Sequence, residues 1–294
     1  MTTDWITLRS DALSAAINPL GAELSSLRDA EGRELMTDAD PAFWTGRAPL
    51  LFPIVGRLRD DRLWIDGKAY PMPKHGFARR SRFTLIDHAA DRASLALEDS
   101  AATRAAYPFR FRLEAHVTLA GATLEMAIAL HNPGAEALPA SFGFHPAFAW
   151  PLPYGAERAA HALHFAAPEP GLLKRITPEG YSTAADRPSP VAGALLPLAD
   201  ALFEADALVW DPVGSRALRY GPAQGPWLDI AWDAPRLGVW TKPGARFLCV
   251  EPWHGLADPA DFAGDFRTKP GVFLVPPGGS WRCAMAVTLV PRSV

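Results

Sequence analysis

Cysteine is scarce: the 294 residues contain only Cys249 and Cys283. Each sits inside an apolar alternating run and outside any CxxC spacing, so neither a disulfide framework nor a zinc site is expected, and both read as buried thiols. Charge of one sign is missing too. Lysine and arginine number 29 against 32 aspartates and glutamates, a formal net charge of -3 without a basic stripe or acidic run. That excludes a nucleic-acid backbone or an anionic membrane surface as partner and leaves a neutral or small anionic ligand. No stretch approaches the roughly 20 apolar residues of a membrane span, and the opening Met1-Thr2-Thr3-Asp4-Trp5 lacks a basic start followed by an apolar run. The expectation is a cytoplasmic protein, monomer or homodimer. Amphipathic helical repeats are nearly absent as well, which argues against a helical bundle.

What the chain has is turn chemistry and alternation. Proline (29) and glycine (23) are scattered throughout, as expected of many short strands joined by turns. Phe111, Leu113, Ala115, Val117 and Leu119 alternate with polar residues, Gly121-Ala122 follows, and Leu124, Met126, Ile128 and Leu130 alternate again: a hairpin with one buried face. Similar runs occur at Leu13–Ile17, at Phe83–Ile86 with Ser94–Leu97, at Leu237–Trp240 with Phe247–Val250, and at Trp281–Leu289. One short helix, Ser100 to Ala106, is expected, capped by Ser100 and ended by Pro108. Residues 156–165 and 168–197 lack this rhythm, and the second stretch reads as a long connection. The reading is all-β: a large antiparallel β-sandwich, residues 1–294 forming a single domain, with an open groove on one face.

Three segments carry more polar chemistry than a structural strand requires: Lys74-His75-Gly76-Phe77-Ala78-Arg79, Ser141-Phe142-Gly143-Phe144-His145-Pro146-Ala147-Phe148, and Cys249-Val250-Glu251-Pro252-Trp253-His254-Gly255. Glycine beside an ionisable group permits close approach. Proline after His145 and Glu251 holds each of them extended, as at a strand ending on a groove rim.

Together these segments resemble the aldose 1-epimerase family, the galactose-mutarotase-like proteins, and in particular a bacterial branch marked by HGFAR, HPAF and EPW motifs. Supporting matches run from Asn18-Pro19-Leu20-Gly21-Ala22-Glu23-Leu24 through Leu51-Phe52-Pro53-Ile54-Val55-Gly56-Arg57 and Tyr107-Pro108-Phe109 to Val275-Pro276-Pro277-Gly278. The resemblance implies a galactose-mutarotase-type sandwich and a sugar mutarotase, with a small-molecule sugar as partner. It also implies Glu251 as general base, His145 as general acid, His75 at the ring oxygen or neighbouring hydroxyls, and Arg57 as the hydroxyl-binding arginine. Asp206 is the candidate for the family aspartate, and Trp253 is offered, from its residue type, as an apolar face for the sugar ring.

The chemistry suits those residue types. Mutarotation removes a proton from the anomeric hydroxyl while giving one to the ring oxygen, so a carboxylate and an imidazole in opposite protonation states suffice, without metal or organic cofactor. The two reacting oxygens share the anomeric carbon. Glu251 and His145 are therefore expected to stand apart by about the width of a sugar edge, and a direct ion pair without room between them would count against the reading. Structural alternatives stay open: a strand-end ion pair for Glu251, a solvated or paired role for Arg57 and Arg79, a core position for Trp253, a turn cap for Asp206. His88, His116, His131, His161 and His164 read as structural or surface residues. Two other functions also stay open. One is a hexose-6-phosphate 1-epimerase, for which Lys74, Arg79, Arg80 and Lys242 are available; the other is a non-catalytic carbohydrate-binding protein.

Overall fold

The computed structural model describes residues 4–292, with backbone alone at residues 184 and 185. Alternation builds the strands. In Arg112–Ala120 the buried residues Leu113, Ala115, Val117 and Leu119 interleave with accessible ones, and Thr123–His131 returns antiparallel after a turn at Gly121-Ala122. Among the described residues, nine strands form one sheet, in the order Leu195–Pro197, His161–Phe165, Ala217–Pro222, Trp227–Trp232, Ser280–Val290, Thr123–His131, Arg112–Ala120, Arg92–Glu98 and Thr84–His88.

A second sheet of seven runs from Phe142–Gly143 to Phe247–His254, Arg236–Trp240, Leu208–Trp210, Leu173–Ile176 and Ser182–Arg187; Ala147–Ala149 also pairs with Phe247–His254. The ladders in both sheets are antiparallel. A smaller sheet holds Ile6–Arg9, Leu13–Asn18 and Glu23–Asp29. The main core lies between the two large sheets, where Leu113, Val117 and Val287 of one share a cluster with Leu208, Leu237, Leu248 and Val250 of the other. This is the expected all-β sandwich.

The helix Ala101–Ala106 starts where the sequence placed it: Ser100 and Thr103 form a reciprocal capping box. Three expectations need correction. Thr84–His88 is not half-buried but exposed along its length, because it is the edge of the nine-stranded sheet and bulges between Leu85 and Asp87. The stretch 156–165 contains a regular strand, His161–Phe165. The stretch 168–197 is no mere connection either: Leu173–Ile176 and Ser182–Arg187 form a hairpin within the seven-stranded sheet. No helix among the described residues is long and apolar enough to cross a membrane, and Met1-Thr2-Thr3, part of the targeting argument, lie outside the described residues.

Candidate active site

The strand Phe247–His254 presents two faces. Leu248 and Val250 point into the sandwich core, whereas Phe247, Cys249 and Trp253 belong to separate apolar clusters on the sheet's other side, and Glu251 alternates onto that side with them. Glu251 thus lies in mid-strand rather than at a strand end, since pairing continues through Pro252 to Arg236↔Trp253. The indole of Trp253 reaches across its neighbours. A Cβ at Gly143 or Gly238 would stand 2.6 Å from it, so both neighbouring positions need the bare backbone.

His145 comes from the break between Phe142–Gly143 and Ala147–Ala149, both of which pair with Phe247–His254. Its ring stacks on Trp44 at 4.9 Å between centroids and meets Trp240 and His75 edge-on. Nε2 of His145 lies 3.2 Å from Oε2 of Glu251, with both side chains buried. The expected gap of a sugar edge's width is absent, which counts against the pair as it was drawn from the sequence. The contact is not an ion pair, however: burial raises the Glu251 pKa well above its ordinary value, opposed by Lys74, and lowers that of His145 to about 3, reinforced by Arg79. Neither is it an aligned hydrogen bond, since Oε2 of Glu251 and Nδ1 of His145 are both left without partners. The indole N–H of Trp253, also without an aligned partner, lies close enough to favour the ionised carboxylate against the larger effect of burial.

His75 is fixed by an exchange of backbone contacts. It donates its N–H to the carbonyl of Gly56, and its Nδ1 accepts the Gly56 N–H at 3.2 Å. The residue sits at φ 68 and is followed by Gly76 at φ 74, where a Cβ would collide with the Phe52 carbonyl. Nδ1 is therefore an acceptor, and the neutral ring carries its proton on Nε2. Burial first, then the fields of His145, Lys74 and Arg79, hold the His75 pKa well below the usual imidazole range.

These groups line a cavity of about 800 Å³, within the range of small-ligand sites. Glu251, His145, His75, Trp253 and Asp206 all reach it. Asp206, exposed at φ 73, turns its Oδ1 onto the N–H of Ala207, and its charge raises the Glu251 pKa. Arg57 is not brought to this cavity. Its guanidinium grips Asp61 by two bonds of 2.8 and 2.7 Å and donates to the Glu179 carbonyl, so it fastens the neighbouring wall instead. Arg79 faces the cavity in its place, half-buried and with no carboxylate partner among the described residues. Burial, then Arg80, lowers its pKa, and Glu23 opposes them. Lys74 also lines the cavity; Arg80 and Lys242 do not.

Sequence reasoning did not single out Trp44, Trp240, Ile176 or Thr177 as cavity walls. The aromatic pair had no motif of its own, and residues 176–177 sat in a stretch read as a connection. The ligand atoms of His145, Cys249 and Glu251 lie within 4.8 Å of one another, a set able to hold a cation. Chemically, the floor of the cavity offers a carboxyl and an imidazole in contact, each pushed toward its neutral form by burial, an N–H donor at His75, and aromatic walls.

The family model described as aldose 1-epimerase matches residues 4–170. The chromosomal protein LacX of Lactococcus lactis subsp. lactis is 30% identical over 97% of this chain and 99% of its own length. Among solved structures, a galactose mutarotase related enzyme from Lactobacillus acidophilus superposes with a TM-score of 0.89 at 27% identity, covering 99% of this chain and 100% of that one. A galactose mutarotase-like protein from Lactobacillus casei gives 0.89 at 28% identity, covering 97% and 99%.

Proposed function

We propose that this chain, which belongs to the aldose 1-epimerase family, interconverts the α and β anomers of an aldose with Glu251 and His145 as its proton carriers. The observation that carries this is that Glu251, His145 and His75 converge on one cavity with aromatic walls. Glu251 and His145 hold one proton between them. Passing it from the Glu251 carboxyl to Nε2 of His145 leaves a carboxylate beside an imidazolium, at no change in net charge. Glu251 then takes the proton of the anomeric hydroxyl as His145 gives its own to the ring oxygen. The C1–O5 bond breaks, C1=O1 forms, the C1–C2 bond rotates, and the reverse transfers close the ring on the other face. A sugar edge does not fit between groups 3.2 Å apart, so binding has to part them for O1 and O5 to meet one each.

His75, holding Nε2–H as a donor, suits a sugar oxygen, and Trp44, Trp240 and Trp253 suit the C–H faces of the ring. A second reading, a hexose 6-phosphate as substrate, is favoured by Arg79 and Lys74, two cations in the cavity without carboxylate partners among the described residues. Anomer-exchange NMR on free aldoses and on aldose 6-phosphates tests both. Acceleration over buffer is expected for at least one class. Arg79→Ala should raise KM selectively for the phosphates if they are the substrates, and should raise it little for a free aldose. Absence of acceleration for every member of both classes contradicts the enzymatic reading.

A further inference from the structure

His254, which ends the strand Phe247–His254, points to the side opposite Glu251 and Trp253 and takes no part in the cavity. Its ring stands edge-on to Trp281 at 4.8 Å and to Phe273 at 6.4 Å. Nε2 faces Oδ1 of Asp233 at 3.4 Å. Asp233 is itself anchored: its Oδ2 accepts the Ala284 N–H at 2.9 Å, and its own N–H reaches the Ala284 carbonyl. Beside them lies the free thiol of Cys283, buried in the strand Ser280–Val290. The sulfur, the imidazole nitrogen and the carboxylate oxygen lie within 4.8 Å of one another.

We propose that Asp233, His254 and Cys283 form a binding site for a thiophilic divalent cation of the zinc class. One thiolate, one imidazole and one carboxylate are three of the ligands such an ion takes in tetrahedral sites, and Asp233 lies exposed, so the fourth position opens to water. The 3.4 Å between Nε2 and Oδ1 is near the spacing of two ligands on one such ion, and on binding the thiol gives up its proton against the burial that raises its pKa. The reading of Cys283 as an inert core thiol therefore changes. Because His254 belongs to the seven-stranded sheet and Cys283 to the nine-stranded one, the ion ties the two layers together at their rim, away from the acid-base pair.

Chelator-stripped full-length protein titrated with Co²⁺ tests this independently of any enzymatic activity. A single equivalent should produce the near-ultraviolet charge-transfer absorption of thiolate ligation, and Zn²⁺ should displace it and raise Tm. His254→Gln and Cys283→Ala should each weaken binding by at least the roughly 10–100-fold that losing even an outer partner of a ligand costs, and Cys283→Ala should abolish the absorption. Cys249→Ala should keep it. His254→Gln lies at the partly exposed rim and remains informative should Cys283→Ala fail to fold. Absence of a thiolate band in the wild type overturns the proposal. So does a band lost in Cys249→Ala but kept in Cys283→Ala, which would put the ion on His145, Cys249 and Glu251.

Discussion

Glu251 and His145 sit where charge is expensive, and burial pushes each toward its neutral form. This has a kinetic consequence. Two independent groups with ordinary values would confine activity to between about pH 4.3, where the carboxyl ionises, and about pH 6.5, where the imidazole loses its proton. A pair that keeps one proton between its members behaves differently. It gains a second proton only near the His145 value of about 3, and loses its one proton only above the raised Glu251 value. The expected kcat/KM therefore does not fall at the ordinary carboxylate value of about pH 4.3 but holds down toward the His145 value of about 3; a tenfold loss per unit setting in below about 4.3 would argue for independent groups. That both residues reach one cavity was legible from the resemblance their motifs carry; the residues alone left a strand-end ion pair open for Glu251. Their contact was not legible, since adjacency of residues 145 and 251 is a matter of strand pairing. Arg79 shows the same limit: it and Arg57 both stood in matching segments, and only the fold decides which guanidinium reaches the cavity.

The turn Thr177–Gly180 tips the hairpin Leu173–Ile176 and Ser182–Arg187 and walls the cavity. Arg57 holds it through the Glu179 carbonyl while Asp61 anchors the guanidinium from the other side. Gly180 packs against the Arg57 side chain, where a Cβ would lie 3.7 Å from it. On this geometry Arg57→Ala loosens a wall rather than removing a sugar contact. KM should rise severalfold with kcat less changed, and limited proteolysis at residues 177–180 should speed up; an unchanged proteolysis rate with a large loss of affinity would restore the direct-contact role. This hairpin was the part of the fold that the sequence concealed. Its strands are short, Pro178 and Gly180 interrupt the pattern, and Leu173–Ile176 buries only Leu173, so no alternation stands out. Arg112–Ala120 and Ser280–Val290, long and buried on alternate residues, announce themselves by contrast.

The molecule separates stability from chemistry by the two faces of one strand. Leu248 is fully buried in the main core, and Glu251 stands three positions on with its carboxyl toward the cavity. Leu248→Ala should cost about 2–5 kcal/mol in chemical denaturation, yet leave KM near the wild-type value at temperatures where the variant is folded. A proportionate rise in KM would mean that core and cavity are coupled. Chelation is the complementary control: proton transfer by the pair calls on no metal, so EDTA-treated protein should keep its anomer exchange, whereas loss restored by one divalent ion would move the chemistry to His145, Cys249 and Glu251 as ligands. The most direct test compares wild type with Glu251→Gln, which preserves size and hydrogen bonding but removes the proton carrier. Anomer exchange, read by NMR at saturating sugar, should fall by about 10²–10⁴-fold while sugar affinity by calorimetry changes far less. Equal binding by both proteins, with the wild-type exchange rate no higher than that of buffer, would make the cavity a receptor and contradict the catalytic account.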